Sequence, residues 1–184
     1  MKAHLRMVDT CDVWADRRLF DAARQLDPVH YLREAARPMF FDDLPKGFSY
    51  ETEAKTVTEA EIVDFARQWD AQYFHTDPEA ARASPFGGLI ASGFHTLLIG
   101  FNLDLGADVW NEASMGSPGM EHVRWVRPLR PGDTVKLKVE VISSIPSQSR
   151  PDRGRTHFRH WLTNQDGDVV IEYDAVVILA RWPG

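Results

Sequence analysis

The spacing of hydrophobic residues first follows a helical period. Four apolar residues recur at intervals of three and four: Ile62, Phe65, Ala66 and Trp69. They predict one buried stripe on a helix that ends near Asp70. The preceding Thr58-Glu-Ala-Glu61 has the composition of a capping box, in which a hydroxyl and a carboxylate each satisfy a free helix N–H. The helix is therefore expected to begin just after Thr58.

Two further helices are expected before the period changes. Asp77 followed by Pro78 is typical of a helix start and predicts a short helix through Ala83. A second apolar set with helical spacing follows: Phe94, Leu97, Leu98, Phe101 and Leu105. Its high apolar content predicts a buried central helix from about Ser92 to Leu105. The glycines and the proline of 106–119 predict a loop.

The C-terminal third of the chain alternates with a period of two. In one stretch apolar and charged residues take turns: Val135, Lys136, Leu137, Lys138, Val139, Glu140 and Val141. This alternation is typical of a half-buried strand. Other strands are predicted at 48–57, 120–126, 155–164 and 168–180. A hairpin around Asn164-Gln-Asp-Gly167 joins the last two. The order of elements predicts an α+β domain, with an antiparallel sheet wrapped on a long helix.

Residues 1–38 differ from this pattern, since scattered apolar residues lie among many charges. The segment that begins at Met39 has the composition of a natural domain start, so we assign the domain to 39–184. The preceding extension has three open interpretations, which are a packing extension, a partner-binding arm and an over-extended reading frame.

Composition limits the possible functions. The 184 residues are 43% hydrophobic and 26% charged, which is typical of one soluble globular domain. The formal net charge of −6 argues against a general nucleic-acid binder. Cys11 is the single cysteine, so neither an intrachain disulfide nor a cysteine metal cluster is expected. Without a run of about 20 apolar residues, the chain is predicted to be cytoplasmic rather than membrane-bound.

Charge is unevenly distributed in spite of the acidic total. The segment 120–159 contains nine lysines and arginines against four acidic residues, a local charge of +5. This excess is compatible with a solvated sheet face. It is equally compatible with a docking surface for a phosphorylated ligand.

The candidate chemistry lies between the first and the central helix. Asp70 and His75 are five positions apart, where a helix gives way to a loop, and Gly87-Gly88 and Gly93 follow. A carboxylate and an imidazole at this spacing form either an acid/base pair or merely a local polar pair. Asp77 is interpreted as a helix cap.

Other polar residues receive structural interpretations. His95 on the apolar helix is either a buried, hydrogen-bonded histidine or a polar contact to substrate. Asn102 and Asp104 are expected to reach the helix end and solvent. The remaining histidines that we considered have no metal-ligand spacing, so no metal is predicted: His30, His122, His157 and His160.

Four motifs occur together in a fixed order. They are Phe65-Ala-Arg-Gln-Trp-Asp70, Phe74-His75-Thr-Asp77-Pro78-Glu79-Ala80, Phe86-Gly87-Gly88-Leu-Ile-Ala-Ser-Gly93, and Arg124-Trp-Val-Arg127-Pro128 leading to Arg130-Pro131-Gly132-Asp133. Over roughly 39–181 the chain resembles the MaoC-like dehydratases, which include the (R)-specific enoyl-CoA hydratases. The resemblance implies a hot-dog fold, with a sheet curled around one long helix. It also implies a homodimer whose sheets join, sometimes with further association.

The resemblance also implies roles for individual residues. The family's Asp-x4-His pair corresponds to Asp70 and His75, which would be catalytic. A backbone N–H near the start of the central helix would receive the thioester oxygen, which points to Gly93 and its neighbour Ser92. The chain departs from the family pattern at two places, since Gln72-Tyr73 replaces a common Asn-Pro and Ser92 replaces a frequent histidine. Both changes alter the pocket wall.

The implied substrate is an acyl-CoA thioester, with coenzyme A as part of the substrate and no separate cofactor. The arginines of the basic segment become candidates for its phosphates: Arg124, Arg127, Arg130, Arg150, Arg153 and Arg155. The favoured activity is hydration of a 2-enoyl thioester or dehydration of a 3-hydroxyacyl thioester. One alternative is a hot-dog thioesterase that uses a helix carboxylate such as Asp104. Another is a non-catalytic acyl-CoA-binding or scaffold subunit, and a heterodimer in which a partner chain supplies catalysis would look the same from one chain.

Overall fold

A computed structural model describes residues 38–183, so the predicted extension at 1–38 lies outside the described residues apart from Pro38. After a 3-10 turn at Phe41–Asp43, the helices are α1 (Glu59–Trp69), α2 (Tyr73–Thr76), α3 (Pro78–Ala81) and α4 (Gly93–Gly106). The strands are β1 (Ser49–Glu51), β2 (Lys55–Thr56), β3 (Gly119–Trp125), β4 (Thr134–Pro146), β5 (Arg153–Thr163) and β6 (Val169–Ala180).

All described strand pairs are antiparallel, in the order β1-β4-β5-β6-β3 with β2 also on β4. The prediction of an α+β domain with four consecutive C-terminal strands is therefore confirmed. The predicted strand at 48–57 is interrupted and forms the two short strands β1 and β2. The interruption coincides with Thr52, whose backbone N–H donates to the Leu137 carbonyl and whose hydroxyl accepts from the Leu137 N–H.

Helix α1 begins as its sequence predicts. The Thr58 hydroxyl accepts from the Glu61 N–H, and the Glu61 carboxylate accepts from the Thr58 N–H, so the capping box is complete. The predicted buried stripe is wrong at one end, because Trp69 is 69% exposed. Ile62 and Ala66 carry the packing of this helix on the core.

The long helix α4 was predicted correctly in position but not in orientation. Its buried residues are His95, Thr96, Ile99, Gly100 and Asp104. The predicted apolar stripe is instead divided, with Phe94 63% and Leu98 44% exposed and the other three residues half-buried. The small Gly100 allows close contact with the sheet, since a Cβ there would lie 3.4 Å from the Tyr173 hydroxyl and 3.6 Å from Leu137.

The core therefore lies between the polar face of α4 and the concave face of the sheet. Its largest fully buried side chains come from the strands and their connections, among them Tyr50, Leu137, Phe158, Leu162 and Tyr173. No helix within 38–183 combines the length and the apolar character required to cross a bilayer.

The N-terminal 3-10 turn closes one end of this core. Phe41 is buried and its ring lies directly over Gly154 of β5, where any Cβ would overlap it. We expect Gly154→Ala to lower the free energy of unfolding by about 1–3 kcal/mol, because the ring has to move out of a packed position. Urea unfolding of the full chain would measure the change.

Gly106→Ala is the matched control for this substitution. Gly106 lies at the end of α4, and a Cβ added there would meet no atom within 4 Å, so we expect no loss of stability. Equal stabilities for the two variants would contradict the packing of Phe41 on β5.

Candidate active site

Asp70 and His75 are brought together by the end of one helix and the start of another. Asp70 caps the C-terminus of α1, where its N–H donates to the Ala66 carbonyl over 2.9 Å. His75 lies in the single turn α2, which follows directly. The distance from Asp70 Oδ2 to His75 Nε2 is 3.5 Å. The two side chains that the sequence singled out therefore face each other.

The orientation of His75 determines which ring nitrogen faces Asp70. Its Nδ1 lies 2.8 Å from the Ile90 carbonyl oxygen, which accepts but cannot donate. The proton of a neutral ring therefore lies on Nδ1, and Nε2 presents a lone pair towards Asp70. The ring is buried, and Phe74 packs edge-on against it with 4.5 Å between centroids.

Asp70 is held as an anion by two donors. The Ser92 hydroxyl donates to Oδ2 over 2.7 Å, and the Gln72 amide donates to Oδ1 over 2.9 Å. Partial burial alone would raise the pKa of Asp70, but the hydrogen bonds from Ser92 and Gln72 and the nearby His75 lower it below its usual value.

This geometry presents two acceptors to one small space. If the ring is neutral with its proton on Nδ1, Nε2 is an acceptor like Asp70 Oδ2, and 3.5 Å separates the two atoms. A water molecule that bridges the two atoms from one side would donate one proton to each. Its oxygen lone pairs would then be directed away from both, ready to attack an electrophile.

Ser92 also fixes the start of α4. Its hydroxyl accepts from the Phe94 N–H over 3.2 Å while it donates to Asp70, so one side chain joins the helix to the carboxylate. Among residues 38–183 no acceptor is found for the Gly93 N–H. This free amide at the positive end of a 14-residue helix suits an oxygen that develops negative charge.

Trp125 is a residue of this region to which sequence reasoning assigned no role. Its indole N–H donates to the Gly93 carbonyl over 2.8 Å. A Cβ at Gly93 would lie 2.7 Å from the indole nitrogen, so only glycine fits under the ring. The motif Arg124-Trp-Val-Arg127 contained the signal, but its partner is 32 positions away and the sequence does not identify it.

The candidate phosphate-binding arginines divide into two groups. Arg130 donates to the Phe86 carbonyl over 2.7 Å, beside the glycine-rich loop, while Arg124 and Arg127 form ion pairs with Glu172 and Asp168. Arg153 lies at the opposite end of β5, paired with Asp152. Leu162 of β5 lies in the same cross-strand row of the sheet as Trp125. Arg153 is nine residues from Leu162 along β5, a distance of about 30 Å. The structure does not bring Arg153 to the site.

Three other polar predictions have distinct outcomes. Asp77 is a helix cap, as predicted, and accepts from the N–H groups of Glu79 and Ala80. His95 is buried and stacks on Phe65 at 4.6 Å, but its Nδ1 has no partner among the described residues. Burial lowers the pKa of His95. The expectation that Asp104 reaches solvent is wrong, because it is 2% exposed.

Asp104 is buried because distant strands supply donors for it. Its Oδ1 accepts from the Tyr50 hydroxyl, and its Oδ2 lies 3.2 Å from His160 Nε2. Within 38–183 no three His, Cys, Asp or Glu side chains are grouped as ligands for a metal ion.

Comparisons with known proteins identify the family of this chain. The family model described as a MaoC like domain matches residues 44–157, which is more than half of the chain. The chain belongs to the MaoC-like dehydratase family. A crystal structure of the MaoC-like dehydratase from Rhodospirillum rubrum is 37% identical, with a TM-score of 0.75, and the match covers 79% of this chain and 99% of that one.

Two further comparisons concern a related enzyme and the fold. The 3-hydroxybutyryl-CoA dehydratase of Methylorubrum extorquens is 30% identical over 62% of this chain and 71% of its own length. A double hot-dog protein from Mycobacterium tuberculosis is 18% identical, with a TM-score of 0.65, and the match covers 79% of this chain and 45% of that one. The fold of this MaoC-like chain is thus the hot-dog fold.

Ser92 provides a direct test of how the Asp70 carboxylate is held. In Ser92→Ala we expect the pKa of Asp70 to rise, because the first hydrogen bond that stabilises its anion is lost. The variant should also lose about 1 kcal/mol of stability with its helix cap. A carbon-detected NMR titration of the Asp70 carboxyl would measure the shift.

The sign of the pH effect follows from the lowered pKa. In the wild type Asp70 contributes stability above its unfolded pKa, and that contribution is lost as pH falls through the folded pKa. In Ser92→Ala the contribution should be smaller, and its loss should be complete at a higher pH than in the wild type. Thr58→Ala removes the cap of α1 without touching Asp70, and an equal pKa change there would argue against the Ser92 contact.

Proposed function

We propose that this MaoC-like protein is a hydratase or dehydratase that acts on a 2-enoyl or 3-hydroxyacyl thioester of coenzyme A. The observation that carries the proposal is the approach of Asp70 Oδ2 to His75 Nε2, 3.5 Å apart, with Ser92 joining the same carboxylate to the start of α4, where the Gly93 N–H is free. The dehydratases among its relatives support the same class of reaction.

In the proposed reaction one water molecule adds across the C2=C3 bond. The base formed by Asp70 and His75 takes a proton from water as its oxygen bonds to C3. The electron pair of the double bond moves through C2 to the thioester oxygen, which becomes an enolate. The same base then returns the proton to C2, so that the product gains one OH at C3 and one H at C2. Dehydration is the reverse sequence.

The start of α4 is proposed to hold the enolate oxygen. The Gly93 N–H is free, and the helix dipole favours negative charge at this end of α4. The indole N–H of Trp125 holds the Gly93 carbonyl in place. A preorganised backbone donor of this kind lowers a barrier by about 3–4 kcal/mol in comparable sites. Because glycine is required under Trp125, no side chain at position 93 obstructs the approach of the thioester oxygen to the N–H.

The alternative of a thioesterase receives less support. A hydrolase of this fold would need a carboxylate free to activate water against the carbonyl, and the sequence offered Asp104. Both oxygens of Asp104 are engaged, by Tyr50 and by His160, and the side chain is buried. Asp70 and His75 instead face each other at 3.5 Å, close enough to act on one water molecule together.

Coenzyme A is proposed to enter beside the glycine-rich loop. Arg130 already lies against that loop, with its guanidinium 3.5 Å from the position of a Cβ on Gly88. Arg124 and Arg127 are more than half exposed and belong to the same segment of chain. These arginines, rather than Arg153, are the candidates for contacts with phosphate groups.

Crotonyl-CoA distinguishes these activities in one assay. We expect loss of the enoyl absorbance without release of free thiol, and a decrease in rate of about a hundredfold to ten-thousandfold in Asp70→Asn and in His75→Ala. Asp70→Asn keeps the shape of the side chain and should keep the melting temperature within a few degrees, whereas His75→Ala removes a buried ring and is expected to lower it. Thiol release would support the thioesterase, and inactivity across a panel of acyl chains would support the binding subunit.

A homodimer is proposed as the working assembly. The outward stripe of α4 and the edge strand β3 expose several large apolar side chains: Phe94, Leu98, Met120, Trp125 and Val126. Such a patch next to a sheet edge is typical of an interface. It lies beside Gly93, so the partner chain would cover the solvent-facing side of the site.

Leu98→Asp tests the assembly without disturbing the protomer. Leu98 is 44% exposed, so we expect the variant to fold, but to be monomeric in light scattering after size exclusion. Ile145→Asp changes an equally large side chain, 55% exposed, outside this patch and should remain dimeric. A monomeric wild type would exclude the proposed dimer.

A further inference from the structure

A cavity lies between the C-terminal half of α4 and the sheet. Its volume is about 220 Å³. We call it the distal pocket, with walls that include Phe101, Leu105 and Val177 and a buried floor formed by Asp104, His160 and Tyr173. Gly93 and Asp104 are eleven residues apart on the same helix, about 16 Å, so the pocket is separate from the Asp70–His75 pair.

The floor of the distal pocket is polar but incompletely hydrogen-bonded. Asp104 is satisfied, because Tyr50 donates to one oxygen and His160 Nε2 lies 3.2 Å from the other. Five buried side-chain atoms within 38–183 lack a partner, and three of them belong to residues of this pocket: His160 Nδ1, Tyr173 Oη and Asn111 Oδ1. Their concentration here marks a place where a ligand group would restore lost hydrogen bonds.

The unpartnered atoms define the chemistry of that group. Since His160 donates from Nε2 to Asp104, its Nδ1 is an acceptor in the neutral ring, as is Asn111 Oδ1. Burial, and then Asp104, raise the pKa of Tyr173, so its hydroxyl remains protonated. The buried carboxylate of Asp104 disfavours an anion. A neutral group that both donates and accepts, which is a hydroxyl, therefore fits the floor.

The walls define the rest of the ligand. Phe101, Leu105 and Val177 suit a hydrocarbon chain, and the pocket lies on the helix whose first residue is proposed to hold the thioester. We propose that the distal pocket receives the far end of the acyl chain and selects a chain that carries a hydroxyl group there. This inference rests on the proposed function, because that function places the thioester at Gly93.

Binding of two saturated thioesters tests the selection without turnover. Calorimetry on the full chain would compare dodecanoyl-CoA with its ω-hydroxy counterpart, since an extended chain of this length spans the distance from Gly93 to Asp104. We expect the hydroxylated ligand to bind about fivefold more tightly, the contribution of one net hydrogen bond. Equal dissociation constants for the wild type would overturn the inference.

Two matched variants locate the preference. Tyr173→Phe removes an unpartnered hydroxyl of the distal pocket, so it should keep the melting temperature and lose the preference. Thr156→Val removes an unpartnered buried hydroxyl outside the pocket and should retain it. A preference that survives Tyr173→Phe would also overturn the inference.

The outcome is separable from that of the proposed function. Hydration of crotonyl-CoA together with equal binding of the two dodecanoyl thioesters would remove the hydroxyl selection and leave the hydratase proposal intact. The opposite result is a hydroxyl preference that depends on Tyr173 in a protein that does not hydrate crotonyl-CoA. It would support hydroxyl selection by the distal pocket and contradict the proposed hydration of short-chain thioesters. Failure to bind either long-chain thioester would overturn the inference.

Discussion

The hydroxyl of Ser92 is the contact on which the site depends. It donates to Asp70 at the end of α1 and accepts from the Phe94 N–H at the start of α4, so that one oxygen joins two helices. Ser92 is fully buried, which protects both bonds from competition with water. The position of the carboxylate relative to the free Gly93 amide therefore follows from helix capping, which is a local interaction.

Much of this arrangement follows from local sequence. The capping box at Thr58 and the alternation within 135–141 predicted α1 and β4, because each depends on neighbours within a few positions. The facing of Asp70 and His75 also follows from a short segment, since only a helix end and one turn lie between them. Residues only a few positions apart have few other possible relative positions.

The orientation of α4 does not follow from its sequence alone. Hydrophobicity favours Phe94 and Leu98 as the inward face, yet Asp104 is buried instead. Tyr50 and His160, which are more than 50 residues away, offset its desolvation through hydrogen bonds. The position of Trp125 on Gly93 and the distance of Arg153 from the site depend on sheet register in the same way. Contacts between residues far apart in the sequence therefore determine the orientation of α4, the Trp125 contact and the place of Arg153, which the sequence did not predict.

The outward apolar face of α4 has a consequence for the energetics of the whole molecule. A protomer that leaves Phe94 and Leu98 in water forgoes part of the hydrophobic free energy its own chain encodes. Whatever covers that face adds to stability by mass action, in proportion to its concentration. Loss of such a cover would return this apolar area to water and weaken the fold.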